Sequence, residues 1–307
     1  MTMQLYSTMK SVDKKVLLTV SAWVIIFLIS DLPDIFFVSL SGQIPDWLFH
    51  GKLFVLIIFL AICVFVNVFR PLLEYAFIML VFYIALLFSQ WVKNSIWWSG
   101  IFYNSNSSFT LYYLDAFILD LFVALTVIAG LWLLFRYKKK FYLAKGNLSA
   151  PIEQVRWLGI RKGESWKKFG WIFAVAASVC VLIPTIMLAQ PSANMFIYVI
   201  PLLPAVLLFA AVNAFTEEVY YRLSLLSTLL DVIGKTNTLL INAVFFGLAH
   251  YLYGSPPGII GFLMTAFLAW LMGKSILETK GVFWAWTIHF LPDVVIFTSY
   301  ALMWTKT

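Results

Sequence analysis

Residues 197–230 read IYVIPLLPAVLLFAAVNAFTEEVYYRLSLLSTLL. An α-helix needs about 20 apolar residues to cross roughly 30 Å of hydrocarbon, and this run supplies more than that. Yet its interior holds Glu217, Glu218 and Arg222. A charged side chain at the centre of a span costs about 2.5–3.5 kcal/mol on insertion scales, so charges placed there mark a site or a pair. Pro201 and Pro204 precede them and predict a bend upstream of the glutamates.

The rest of the chain repeats the apolar pattern. It has 307 residues, 63% hydrophobic and 11% charged. Further apolar runs occupy 16–30, 53–69, 72–92, 116–135, 171–189, 238–251, 258–277 and 282–304. The prediction is an all-α polytopic membrane bundle of about nine transmembrane spans. The first run follows Lys10, Lys14 and Lys15 but lacks a small-residue cleavage site, so it reads as a retained span. Only Arg70 and Pro71 separate the second and third runs, a tight hairpin. The stretch 31–41 is compatible with an extended first span, a re-entrant segment or an interfacial helix.

Charge sets the expected orientation. With a cytoplasmic N-terminus, strict alternation places all but Lys52, Lys93 and Lys306 of the 21 Lys and Arg residues on or toward the cytoplasmic side. The net charge of +7 then serves topology and anionic lipid, and no nucleic-acid partner is expected. The densest basic segment, 136–168, divides the chain into an N-terminal four-span module (1–140), a basic cytoplasmic linker (141–168) and a five-span module (169–307). Glu74 and Asp120 are the isolated charges of the first module, where helix ends and interhelical bonds explain them. Within the linker, Val155, Trp157, Leu158, Ile160 and Trp166 fit an amphipathic stretch on the inner leaflet and a solvated loop equally well. Cys63 and Cys180 both lie in apolar segments, which excludes a CxxC pair and a thiolate zinc site built from this chain alone.

Three spacings carry chemistry. Glu218 and Arg222 are four apart, neighbours on one helical face able to form an ion pair. Glu217 is rotated from Glu218 by about 100°. Spacing therefore assigns Glu218 as the neutralised structural partner and Glu217 as a candidate general base. Phe246 with His250, and His289 with Asp293, repeat the four-residue spacing on later spans. Taken singly, an intramembrane histidine is as readily an interhelical hydrogen bonder, and Phe246 reads as packing or a pocket wall. Together they point to a site. Pro292, between His289 and Asp293, is expected to kink the last span. At about 1.5 Å per residue, Glu217 lies about 21 Å, His250 about 18 Å and His289 about 12 Å from their predicted cytoplasmic ends. A pocket open to the cytoplasm would hydrate all three.

The pattern EExxxR, FxxxH and HxxxD on consecutive helices resembles the CPBP family, the CAAX proteases and bacteriocin-processing enzymes. The likeness runs over about 155–304 and includes Trp157-Leu158-Gly159-Ile160-Arg161. It implies an intramembrane endopeptidase with Glu217 and His250 activating water, and with His289 and Asp293 at the tetrahedral oxyanion. Glu218, Arg222 and Phe246 support the site. Leu223 stands where glycine often follows the motif arginine, and Asp293 where many members have asparagine. An ionised aspartate cannot donate a hydrogen bond, so an oxyanion role for Asp293 needs a proton or another assignment.

The resemblance implies a membrane-embedded or lipidated peptide as substrate, the lipid bilayer as setting and a bacterial inner membrane as location. No cofactor is expected. Zinc is the alternative, because Glu217, His250, His289 and Asp293 also make a nitrogen and oxygen ligand set. An ion-coupled transporter using these charges as a proton relay, and a non-catalytic scaffold or immunity protein, are the readings from other classes.

Overall fold

A computed structural model describes residues 2–103, 108–136, 141–254 and 256–304; Lys138, Lys139, Lys140 and Lys306 lie outside them. The described residues form thirteen α-helices in the order α1 (Thr2–Ile29), α2 (Leu32–Ser41), α3 (Leu48–Phe65), α4 (Leu73–Lys93), α5 (Ile96–Phe102), α6 (Phe109–Phe135), α7 (Trp166–Ala189), α8 (Ala193–Val199), α9 (Leu203–Glu217), α10 (Ser224–Ile233), α11 (Lys235–Tyr253), α12 (Ile259–Thr279) and α13 (Phe283–Trp304). Seven helical segments are long and apolar enough to cross a membrane, or eight if α1 and α2, bent by 45°, form one broken span. The chain is an integral multi-pass membrane protein. The ninth expected span is α11, whose Lys235, Asn237, Asn242 and His250 leave it short of the apolarity of the others.

The run 197–230 is not one helix. Pro201 and Pro204 fall in and just after a 3₁₀ turn, Ile200–Leu202, which realises the expected bend. A π-helical turn over Glu218–Leu223 then separates α9 from α10. By contrast α13 continues through Pro292.

Two compact units are built from these helices, each drawing on chain before and after the basic linker. The first contains 1–84, 127–141 and 220–274. In it α1 packs on α2, α3, α10 and α11, and α10 packs on α11. The second contains 85–126, 142–219 and 275–307, with α13 laid along α7 and α9. Its core joins Phe109, Phe117, Phe209 and Phe297, with Phe117 stacked on Phe209 at 4.8 Å.

The linker is a folded strap, unlike either sequence expectation. Val155 and Ile160 are bridged and buried around a 3₁₀ turn, Arg156–Leu158, and Trp166 is buried in the first turn of α7. Hydrogen bonds tie the strap to the α12–α13 corner. Asn147 N–H donates to the Thr279 carbonyl (2.7 Å), Val282 N–H to Ala144 (2.9 Å), the Trp284 indole to Leu148 (3.0 Å) and the Trp166 indole to Glu278 (2.9 Å). Gly146 has φ +73°, and a Cβ there would lie 2.6 Å from the Thr279 carbonyl, so the close approach needs glycine. The strap anchors the base of the helix that carries His289 and Asp293.

Candidate active site

In the second unit α9 ends at Glu217, the π turn opens at Glu218, and α13 runs alongside. Ala210 and Ala214, both fully buried, leave room for that approach, as small residues do between helices in lipid. The Trp286 indole donates to the Ala211 carbonyl (3.1 Å) and stacks on Phe290, pinning α13 to α9 one turn before His289.

His289 is the centre of the cluster. Its Nδ1 is 2.9 Å from Glu218 Oε1, and its Nε2 is 3.3 Å from Glu217 Oε2 and 3.8 Å from Asp293 Oδ2. An ionised carboxylate can only accept, so Nδ1–H donates to Glu218 and the ring orientation is set. Glu218 is fully buried; His289 and Asp293 are nearly so. The spacing had made Glu218 a partner of Arg222 alone. The fold brings α13 to it, and its Oε1 accepts from His289 Nδ1–H.

Asn213 belongs to this cluster and was not singled out in the sequence. Its Nδ2 donates to Asp293 Oδ2 at 3.0 Å. The available signal was an amide one turn before Glu217 inside an apolar run. Asp120 of α6 is within electrostatic reach of Glu217. No sequence spacing could give that approach, because α6 and α9 are joined only by tertiary packing.

The first unit holds the remaining motif residues. Arg222 is fully buried, with its guanidinium over the Phe246 ring at 4.1 Å, a cation–π geometry. Phe246 is therefore a wall that touches both Arg222 and the His250 ring, whose centroid is 4.3 Å away. His250 Nδ1 is 2.9 Å from the Phe246 carbonyl, which can only accept, so Nδ1 carries a hydrogen and Nε2 is the ring atom able to take a proton.

Among the described residues no three His, Cys, Asp or Glu side chains are arranged to hold a metal ion. The His289 nitrogens face carboxylates directly, so a ligand set would require these side chains to turn toward a common ion.

Comparison with known families bears on the same residues. Residues 199–295 match the Rce1-like model, type II CAAX prenyl endopeptidase Rce1-like. The likeness read from the three motifs is thus borne out over that stretch. The Rce1-like match covers roughly a third of the chain and includes every motif residue from Glu217 to Asp293. No curated protein and no solved structure matches the chain.

Proposed function

We propose that this protein is an intramembrane endopeptidase that hydrolyses a peptide bond of a membrane-associated or lipidated peptide by direct attack of water. The observation that carries the reading is His289, fixed by Glu218 and facing Glu217 and Asp293, inside the stretch that matches the Rce1-like model. Glu217 takes a proton from water, with His250 in the partner role that the resemblance gives it. The water oxygen bonds to the scissile carbonyl carbon and the C=O electron pair moves to oxygen. The proton then passes to the departing amine as the C–N bond breaks, and no acyl-enzyme forms. His289 is the oxyanion donor. Asp293 accepts from Asn213 and faces His289, which suits an ionised carboxylate that positions the imidazole instead of donating itself.

The chemistry is assigned without metal, the active site to the cytoplasmic side, as the basic loops predict, and the setting to a bacterial inner membrane, as the family likeness implies. The test is the purified protein in lipid, given a panel of lipidated and hydrophobic peptides. A new amine terminus that appears with wild type, persists through exhaustive chelation and vanishes in Glu217→Gln supports the assignment. Activity restored by zinc alone would overturn its metal-independent form. Substrate-dependent flux in liposomes that persists in Glu217→Gln, without cleavage of any peptide, would replace it with a transporter.

A further inference from the structure

In the second unit α7 and α13 run side by side in the same direction, and their contact changes along its length. Near their starts a Cβ on Gly170 would lie 2.3 Å from the Trp284 ring, and Trp171 meets that ring edge-on at 5.7 Å, so the helices touch. Toward their C-terminal ends they part around a cavity of about 170 Å³. Leu182, Thr185 and Ile186 line it from α7, and Val295, Thr298 and Ser299 from α13. Pro184 stands among the α7 residues of the wall. A proline inside a helix collides with the carbonyl four residues back and bends the helix, which accounts for a gap at this level.

The wall fits hydrocarbon. Among the described residues no charged side chain lines it, and the hydroxyl hydrogens on its α13 side are spent within the helix. Thr298 donates to the Val294 carbonyl (2.6 Å) and Ser299 to the Ile296 carbonyl (2.7 Å). A water held in a cavity needs about two to four polar partners, whereas an apolar cavity of about 150 Å³ stays dry and takes up benzene. Nor is this cavity sealed. Leu182 and Ile186 at its α7 side are 40% and 49% exposed, and α7 is the least buried of the apolar spans, with 11% of its most apolar stretch inside the protein. The cavity is therefore continuous with the lipid-facing surface of α7. It also lies behind the carboxylate and imidazole cluster. Thr298 is nine residues past His289, about 180° around α13 at about 100° per residue.

We propose that this cavity is a socket for an acyl chain of a bilayer lipid, which enters past Leu182 and Ile186 and packs a segment of about six carbons, the content of a benzene-sized void, against the back of α13. The occupant comes from the bilayer and not from a substrate, because the cavity faces away from His289. The inference holds whatever reaction the cluster on the other face carries out.

The test uses the full chain in phosphatidylglycerol and phosphatidylethanolamine bilayers doped with a phosphatidylethanolamine that carries a diazirine on its acyl chain. Mass spectrometry reads which residues are labelled on illumination. Exposed α7 residues such as Ile172 and Val175 are labelled from the surrounding lipid, but Ser299 is buried and the cavity is its route to lipid. Wild type is expected to carry adducts on Val295 and Ser299. Thr185→Leu fills the cavity from α7 and Val295→Phe fills it from α13. Each should lose the Ser299 adduct and keep those on Ile172 and Val175, whereas the nearly isosteric Thr298→Val should keep them all. Absence of adducts on Val295 and Ser299 in wild type, which needs no variant to fold, would overturn the proposal. So would a Ser299 adduct that persists in a filling variant of unchanged helix content. Adducts displaced by a lipidated peptide would give the cavity to a substrate, and a disulfide between two copies of Ile186→Cys in place of lipid labelling would give it to a second copy; either outcome overturns the assignment to bilayer lipid.

Discussion

Two histidines of the matched stretch, His289 and His250, are held in different ways. His289, in the second unit, faces carboxylates through both ring nitrogens, and all of them lie between Glu217 and Asp293 in the stretch that matches the Rce1-like model. His250, in the first unit, gives Nδ1–H to a backbone carbonyl and rests against the Phe246 ring. A ring clamped at both ends is suited to present a hydrogen to a developing oxyanion. A ring with Nδ1 anchored and Nε2 able to take a proton is suited to proton transfer. The difference gives the histidines unlike roles, which mutation can break or sharpen.

The largest effects should fall on the proton-transfer side. Glu217→Gln and His250→Gln each remove a group assigned to activate water, and general acid–base groups contribute about 10²- to 10⁴-fold. Cleavage of a peptide that wild type cuts is expected to fall by at least about 10²-fold in each, with helix content and thermal midpoint in detergent unchanged. If either variant keeps more than a tenth of the wild-type rate, the division of labour between the histidines is wrong.

Much of this was legible in the sequence because it follows from hydropathy and helical spacing. Eight of the expected spans appear as apolar helices or the bent pair, and Pro201 and Pro204 break the chain where a proline should. What could not be read is what depends on partners distant in sequence. Nothing in EExxxR says that Glu218 will meet His289 71 residues later. Helical periodicity assumed a uniform α-helix and so missed the π turn that begins at Glu218, a distortion that recurs at functional sites. The strap was missed for a related reason. Val155 and Ile160 are buried around a turn and a bridge while Trp157 between them stays exposed, and neither a turn nor a bridge has the 3.6-residue period that a search for amphipathic helix detects. The pairing of Asp31 and Asp34 with Lys52 could not be read either, because it joins segments apart in the chain.

A smaller effect is expected from the clamp on His289. Glu218→Gln keeps an oxygen that can accept from Nδ1–H but deletes the charge, so the ring stays oriented while its imidazolium loses support. A kcat about tenfold lower with KM unchanged is expected, corresponding to about 1.4 kcal/mol. Glu218→Ala removes the acceptor too and leaves a buried donor without it, which costs about 1–3 kcal/mol of stability. Equal kinetics for the Gln and Ala variants would show that Glu218 serves Arg222 alone, as the spacing first suggested.

The smallest effect should come from Asn213, and it distinguishes the two uses of Asp293. If Asp293 is an ionised carboxylate that faces His289, the Asn213 amide helps to keep it ionised and in place, and Asn213→Ala deletes one hydrogen bond to a charged group, worth about 1.5–3 kcal/mol at most. Only the part of that energy felt in the transition state appears in kcat, so a loss of a few-fold is expected, with some lowering of the thermal midpoint. Asn213→Asp is the sharper variant. It is nearly isosteric but sets a second carboxylate against Asp293, so the pair must hold a proton or repel. If Asp293 works as an ionised holder of His289, this substitution should be more damaging than Asn213→Ala, most of all near neutral pH, and should recover toward lower pH as the pair takes up a proton. If Asp293 instead works as a protonated oxyanion donor, the added carboxylate should favour that proton, and Asn213→Asp should equal or exceed Asn213→Ala in rate. The rank order of the two variants, read from kcat against pH, therefore decides whether the aspartate that replaces the family's frequent asparagine donates to the oxyanion itself or acts through the imidazole beside it.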